Sequence, residues 1–205
     1  MLFDLQGAAQ GLGYKLLAAT LLPRPIGWVT SLGETGVVNC APFSFFNAAG
    51  SAPPCVSLAI QPGAAGLKDT ARNILQGGEF VVNLVPFGLA EAMNLTCIDA
   101  PPDVSEVDLA GLALAPCARV AVPRLAASPV SYECRLLHDL ETGPNQHLLV
   151  GEVLAVHVSD THVIDAARGH IDGRRLDLIA RGGAQDYYRQ GEPFTLQRPV
   201  WDKTR

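Results

Sequence analysis

Asn39-Cys40-Ala41-Pro42-Phe43-Ser44-Phe45-Phe46-Asn47 is the stretch on which the reading of this chain turns. It joins a strand-like apolar run to a Pro/Gly-rich break at Gly50–Pro54 and then to a second apolar run, Cys55–Ile60. Phe43, Phe45 and Phe46 crowd together beside small polar residues. Pro42 has no backbone donor, which confines any strand here to an edge, a start or a bulge. The expected result is a shaped bend presenting backbone amides, Ser44 and Asn47 beside aromatic surface. Two uses fit it: a buried bulge between two core strands, or a wall for a flat cofactor with polar edges.

Outward from that stretch the chain reads as short extended runs. On its N-terminal side, Leu12–Leu22 suits a short helix or an apolar strand, and Pro23-Arg24-Pro25 stops it. Ile26–Ser31 and Val37–Cys40 form a hairpin about the Gly33-Glu34-Thr35-Gly36 turn. On its C-terminal side, Val56, Leu58 and Ile60 alternate with small residues. Lys68-Asp69-Thr70 opens a helix through Leu75, with Asp69 or Thr70 as cap and Gly77-Gly78 as its end. Glu79–Val85 is extended and Leu89–Cys97 is a second short helix. The acidic, proline-containing run Asp99–Asp108 reads as a surface loop. Val130–Leu136 and His147–Val158 are strands around a loop containing Gly143-Pro144, with Gly151 placed for a bend or bulge. Thr161–Ala167 suits a small helix, and the tail from Phe194 is exposed.

Extended segments without a regular strand–long helix–strand alternation favour an antiparallel barrel over a doubly wound sheet. At 205 residues, 48% of them hydrophobic, the chain suits one domain with a substantial core. Twenty glycines and 15 prolines argue for many turns. A net charge of −5 gives no support to nucleic-acid binding. No run reaches the roughly 18 apolar residues of a membrane span, and no signal peptide is evident. Cys40, Cys55, Cys97, Cys117 and Cys134 form no CxxC pair and read as small buried hydrophobes in a reducing, cytoplasmic compartment. The five histidines make no HxH or HExxH group, so no metal centre is expected. No nucleophile elbow, Walker loop or GxGxxG occurs either, and no catalytic side chain is assigned.

Lys68-Asp69-Thr70 is the best local anion site. A helix start offers free amides, Thr70 a hydroxyl donor and Lys68 a charge. Asp69 repels a phosphate if it points inward, and otherwise caps the helix or orients a neighbour. An ordinary capped surface helix accounts for the same residues. Arg24 and Arg181 are further candidate anion partners.

Arg24-Pro25-Ile26-Gly27-Trp28-Val29-Thr30-Ser31, then Gly36 through Asn47, Lys68-Asp69-Thr70 with Asn73, Glu79-Phe80-Val81-Val82-Asn83-Leu84, Gly151-Glu152-Val153 and Arg181-Gly182-Gly183 with Tyr187 follow one another in order. In that order the chain resembles the flavin reductase-like, FMN-binding split-barrel family. The resemblance spans about residues 20–190 of a single 1–205 domain, leaving a C-terminal extension. It implies a mainly β, Greek-key antiparallel split barrel with short flanking helices, and a homodimer binding FMN near the subunit interface. It places Thr30 and Ser31 beside the phosphate or ribityl chain, and Asn39, Ala41, Pro42 and Ser44 along the flavin. Lys68, Asp69 and Thr70, with Asn73, fall at the phosphate end, Phe45 or Phe46 against the ring, and Arg24 or Arg181 as further contacts. The implied activity is hydride transfer from NADH or NADPH to flavin, with a partner monooxygenase as one destination for the electrons. The alternative is a non-catalytic FMN-binding or electron-transfer module.

Overall fold

The computed structural model describes residues 1–201. Its centre is one antiparallel sheet of seven strands: β1 (Gly27–Leu32), β2 (Val38–Phe43), β3 (Phe46–Ser51), β4 (Pro54–Ile60), β5 (Glu79–Asn83), β6 (Val130–Gly143) and β7 (Gln146–Val158). The spatial order is β2-β1-β5-β6-β7-β4-β3. The two edge strands, β2 and β3, are therefore consecutive in sequence, separated by Ser44 and Phe45 alone. Two residues span only about 7 Å, so opposite edges of the sheet must curl together, and the Phe45 carbonyl accepts from the Ala59 amide at 2.8 Å. The chain is mainly β, and its architecture is a split barrel.

Strand alternation divides β1 between two environments. Val29 faces the barrel interior with Leu58, Ile60, Phe80, Val82, Cys134 and Leu149, where Ala71 and Ile74 of helix α2 (Asp69–Gly77) pack in. Trp28 faces outward into a second cluster with Cys40, Val85, Met93 and Val107, covered by the short helices α3 (Ala90–Leu95) and α4 (Glu106–Leu109). The Trp28 indole donates to Thr96 Oγ1 at 2.9 Å. Helix α1 (Gly13–Thr20) precedes the barrel, and a small sheet pairs Arg24–Pro25 with Ile179–Arg181 and that strand with Tyr187–Arg189.

Several elements differ from the sequence reading. The β6–β7 hairpin runs to Gly143 and resumes at Gln146, so the expected loop from His138 is a two-residue turn. Cross-strand pairing carried those polar residues into the ladder. The Thr161–Ala167 region is a turn of 3₁₀ helix, Asp160–His162, followed by a short strand, Val163–Asp165. The Asp99–Asp108 run is not all surface: it ends in α4, with Glu106 and Val107 buried. No side chain caps α2 at Asp69 or Thr70, whereas Gly78 ends it in the left-handed conformation as expected. Cys40, Cys55 and Cys134 are buried, but Cys97 is exposed. No helix of the described residues is long and apolar enough to cross a membrane.

Gly151 sits at a register shift of β7, beside the fully buried Phe80. A Cβ there would fall 2.4 Å from Phe80 Cζ and 2.9 Å from Cε1. Gly151→Ala is expected to lower stability by about 1–3 kcal/mol, the usual cost of overpacking, read as a reduced denaturant midpoint.

Glu133, fully buried on β6, clamps the segment that crosses the outside of the sheet. Its carboxylate accepts from the amides of Ala118 (2.9 Å), Arg119 (2.6 Å) and Val120 (3.2 Å), and from His157 Nε2 at 2.5 Å. Cys117 completes a Cys–Glu–His group within 4.8 Å, but these four donors already occupy the carboxylate. Burial alone would raise the Glu133 pKa; the amides and His157 outweigh it and hold the carboxyl below its ordinary value of 4.5. A depressed pKa contributes stability that is present above the unfolded value and lost as pH falls through the folded one. The advantage of the wild type over Glu133→Gln, about 2–3 kcal/mol, should be full at neutral pH and shrink below about pH 4.5, as urea melts across pH would show.

Candidate functional site

Two cavities open where the barrel stays split. The smaller, about 380 Å³, lies between β2, the Gly63–Lys68 loop, the start of α2 and the Thr96–Pro102 segment. The larger, about 1110 Å³, lies between Pro42-Phe43-Ser44, α3 and the Arg181–Tyr187 segment. Lys68 and Cys97 line both, so the two form one groove. Each volume is on the scale of a small-molecule or cofactor site, about 300–1,000 Å³.

The polar end is built around α2. With no side-chain cap, the first amides of this nine-residue helix are left to a ligand or water. Asn39 Nδ2 donates to Thr70 Oγ1 at 2.8 Å, which fixes the Thr70 oxygen as acceptor and leaves its hydrogen free to donate into the cavity. Asn73 Nδ2 donates to Ser31 Oγ at 3.1 Å, with Asn39 Nδ2 at 3.5 Å from the same oxygen. Asp69 turns to Arg72 in an ion pair, and Arg72 also donates to the Leu67 carbonyl at 3.1 Å. Asp69 is thereby partly neutralised. Among the described residues Lys68 forms no ion pair. This donor set of free amides, a hydroxyl and an ammonium suits a phosphate.

The sequence-named residues divide into three groups. Asn39, Ala41, Lys68, Asp69 and Thr70 line the smaller cavity, and Pro42, Ser44, Lys68 and Arg181 the larger. Ser31 and Asn73 stand behind the first group: Asn73 donates to Ser31 Oγ, which Asn39 also reaches. Thr30, Arg24 and Phe46 are turned elsewhere. Thr30 lies on the opposite strand face from Ser31 and donates to the Pro123 carbonyl at 2.7 Å. Phe46 enters the core against Gly27, while Phe45 stays half-buried beside Tyr14. Arg24, 8% exposed, donates to the carbonyls of Ala18, Leu21 and Gly182 and to Ser44 Oγ. Its guanidinium positions the groove's walls rather than lining them.

Cys97, Arg72 and Glu106 also line the groove without having been singled out from the sequence. For Glu106 a signal was present: Ser105-Glu106-Val107-Asp108 has the S-x-x-D spacing of a helix start. The Ser105 hydroxyl instead donates to the Val38 carbonyl at 2.6 Å, and Glu106 Oε2 accepts from the Cys40 amide at 2.9 Å. Two side chains thus stand in for a neighbouring strand along the free edge of β2. Cys97 gave no signal, since a lone cysteine outside any motif looks like any other.

Residues 19–173 match the flavin reductase like domain, and the chain belongs to that family. It is 44% identical over 202 residues to an uncharacterised protein of Deinococcus radiodurans, covering 96% of this chain and 88% of that one. Nitrilotriacetate monooxygenase component B from Bacillus cereus shares 33% identity and superposes with a TM-score of 0.90, covering 96% of this chain and 98% of that one. The 2-nitrobenzoate 2-nitroreductase NbaA of Pseudomonas fluorescens shares 30% identity with a TM-score of 0.88, covering 98% and 97%. A flavin-related function follows from the family, and a flavin is the cofactor the groove is tested against.

Cys97 is solvent-accessible, but partial desolvation by the groove around it raises its thiol above its ordinary pKa, with Arg181 and Lys68 pulling the other way. Cys117 is half-buried and pushed up to about 11, and the other three cysteines are buried. An aromatic disulfide reagent should therefore titrate one fast thiol in the native protein, faster as pH rises. Cys97→Ser should remove that phase, and a flavin seated in the groove should slow it.

Proposed function

We propose that this protein is an FMN-dependent oxidoreductase whose flavin accepts hydride from NADH or NADPH. The observation that carries the reading is the uncapped start of α2, with Thr70 and Lys68, opening onto a groove that continues into a second cavity. The first provides for a phosphate and the second leaves room for a further planar reactant. FMN would supply the two-electron acceptor that no side chain of this chain provides. Lys68, Thr70 and the α2 amides would hold its phosphate, and Asn39 and Ala41 would flank it. Phe43, Pro42 and Ser44 would shape the wall along which the reactants align, and Ile26 and Met93 would keep water from that end. No side-chain nucleophile or general base is needed.

Reduced flavin then has two outlets. The likeness to a monooxygenase component supports delivery to a partner monooxygenase. The Arg181 and Tyr187 side of the larger cavity, beside the likeness to a nitroreductase, supports reduction of a small aromatic acceptor in place. We also assign the protein to a homodimer, because Leu137, Leu140 and Val156 are exposed on the long β6–β7 hairpin and most of edge strand β3 is uncovered. Five free cysteines agree with a cytoplasmic setting.

The test is anaerobic titration of the FMN-reconstituted protein with NADH and then NADPH. Loss of the oxidised-flavin visible band is the expected result, and the better donor identifies the physiological one. Stable FMN binding without reduction by either donor would overturn the hydride-transfer reading and leave an electron-transfer or binding module. Lys68→Met and Thr70→Val should each weaken FMN about tenfold or more, the scale of one charge-assisted hydrogen bond, while leaving riboflavin nearly unaffected.

A further inference from the structure

Three acidic residues line the smaller cavity: Asp69, Asp99 and Glu106. Asp99 is exposed, and Asp69 is paired with Arg72. Glu106 is different. It is 5% exposed, and among the described residues no Lys, Arg or His pairs with it. Its carboxylate accepts from a backbone amide, that of Cys40, at 2.9 Å. Amides orient a carboxylate without cancelling its charge. A buried, uncompensated anion on the wall of a phosphate cavity opposes the ligand that the cavity is built to take.

We propose that Glu106 makes the binding of phosphate-bearing flavins proton-linked: the incoming phosphate brings one proton from solvent onto the Glu106 carboxyl. This rests on the reading above that the FMN phosphate sits at the start of α2. The Cys40 amide bond survives the change, because a protonated carboxyl still offers a carbonyl acceptor. The charged and titratable groups around Glu106 are Cys40 from β2, Lys68, Asp69 and Arg72 at the start of α2, Cys97 and Asp99 after α3, and Asp108 on its own helix. Lys68 favours the phosphate directly. Arg72 is engaged by Asp69.

The direction follows from linkage. Burial already raises the Glu106 pKa, as does Asp69, and the Cys40 amide offsets part of the rise. A bound phosphate raises it further. Below the free protein's pKa the carboxyl is protonated before FMN arrives, and affinity is full. As pH rises from that value toward the pKa of the complex, affinity falls by up to tenfold per unit, then levels off. The FMN phosphate itself titrates near pH 6, but equally in any variant, so the difference between two proteins isolates Glu106.

The experiment measures FMN and riboflavin dissociation constants by flavin fluorescence from about pH 5.5 to 8.5, for wild type and Glu106→Gln. Gln keeps the acceptor for Cys40 and removes the charge. Calorimetry of FMN binding to the wild type, in buffers of different ionisation enthalpy, counts protons without any variant when it is read at about pH 7 and above, where the FMN phosphate is already a dianion and adds almost nothing to the count. Expected are proton uptake by the wild type, an FMN affinity that falls about tenfold relative to Glu106→Gln across the range, and riboflavin curves that run parallel. Parallel FMN curves, or no proton uptake by the wild type, would overturn the inference while leaving the FMN site standing. Equal divergence for riboflavin would show that the phosphate is not what Glu106 senses. A wild type that binds no FMN at any pH would overturn the site and this inference together. If Glu106→Gln does not fold, the wild-type proton count still decides.

Discussion

The structure depends on the two residues between β2 and β3. They connect the opposite edges of a seven-stranded sheet, and so short a link leaves the sheet no geometry except a curl. Around that junction the packing is tight. A Cβ at Gly27 would stand 3.1 Å from the Phe46 ring and 3.2 Å from Val82, so the first residue of β1 has to be small for the first residue of β3 to enter the core. Arg24 reaches Ser44 from outside with Nε, while its other donors hold the end of α1 and the Gly182 carbonyl. The split in the barrel is the place where the edges approach without pairing, and the groove lies along it.

An unpaired strand edge normally carries a row of exposed donors and acceptors. Here β2 manages its edge with side chains. Pro42 has no donor to satisfy, Ser105 donates to Val38 and Glu106 accepts from Cys40. Covering the edge with a carboxylate, rather than with another strand, places an acid on the wall of the smaller cavity. On the proposal that this cavity takes a flavin phosphate, the residue that satisfies the edge of β2 also bears on what the cavity holds, and protonating it would leave the edge covered.

Much of the fold was legible because the order of motifs was legible. The hairpin about Gly33–Gly36, the stop at Gly78, the bulge at Gly151 and the antiparallel class all follow from local chemistry. What was hidden depended on pairing between distant segments. The polar residues from His138 to Gly143 look like loop until β7 is laid beside them. Thr30 and Ser31 look equivalent in sequence, but strand alternation sends one to Pro123 and the other to Asn73. Lys68 and Thr70, which line the smaller cavity, were legible as candidates because each carries anion-binding chemistry at a helix start, and Asn39 beside them only through the family resemblance. For Glu106 the S-x-x-D spacing marks a helix start but not a cavity wall, since an acid in an acidic, proline-containing run reads as surface and only the free edge of β2 gives it a partner.

The two arginines show how the fold assigns different tasks to the same residue type. Arg24 and Arg181 are register partners on neighbouring antiparallel strands, where like charges directly opposite are destabilising. The arrangement is tolerable because neither guanidinium is left bare. Arg24 is surrounded by three carbonyls and a hydroxyl, and Arg181 lies 4.4 Å from the centre of the Tyr187 ring and donates to the Ala184 carbonyl. Arg24 has become framework. Arg181, held by the Tyr187 ring and the Ala184 carbonyl, lies on the wall of the larger cavity, so the two members of one register pair divide between structure and cavity lining.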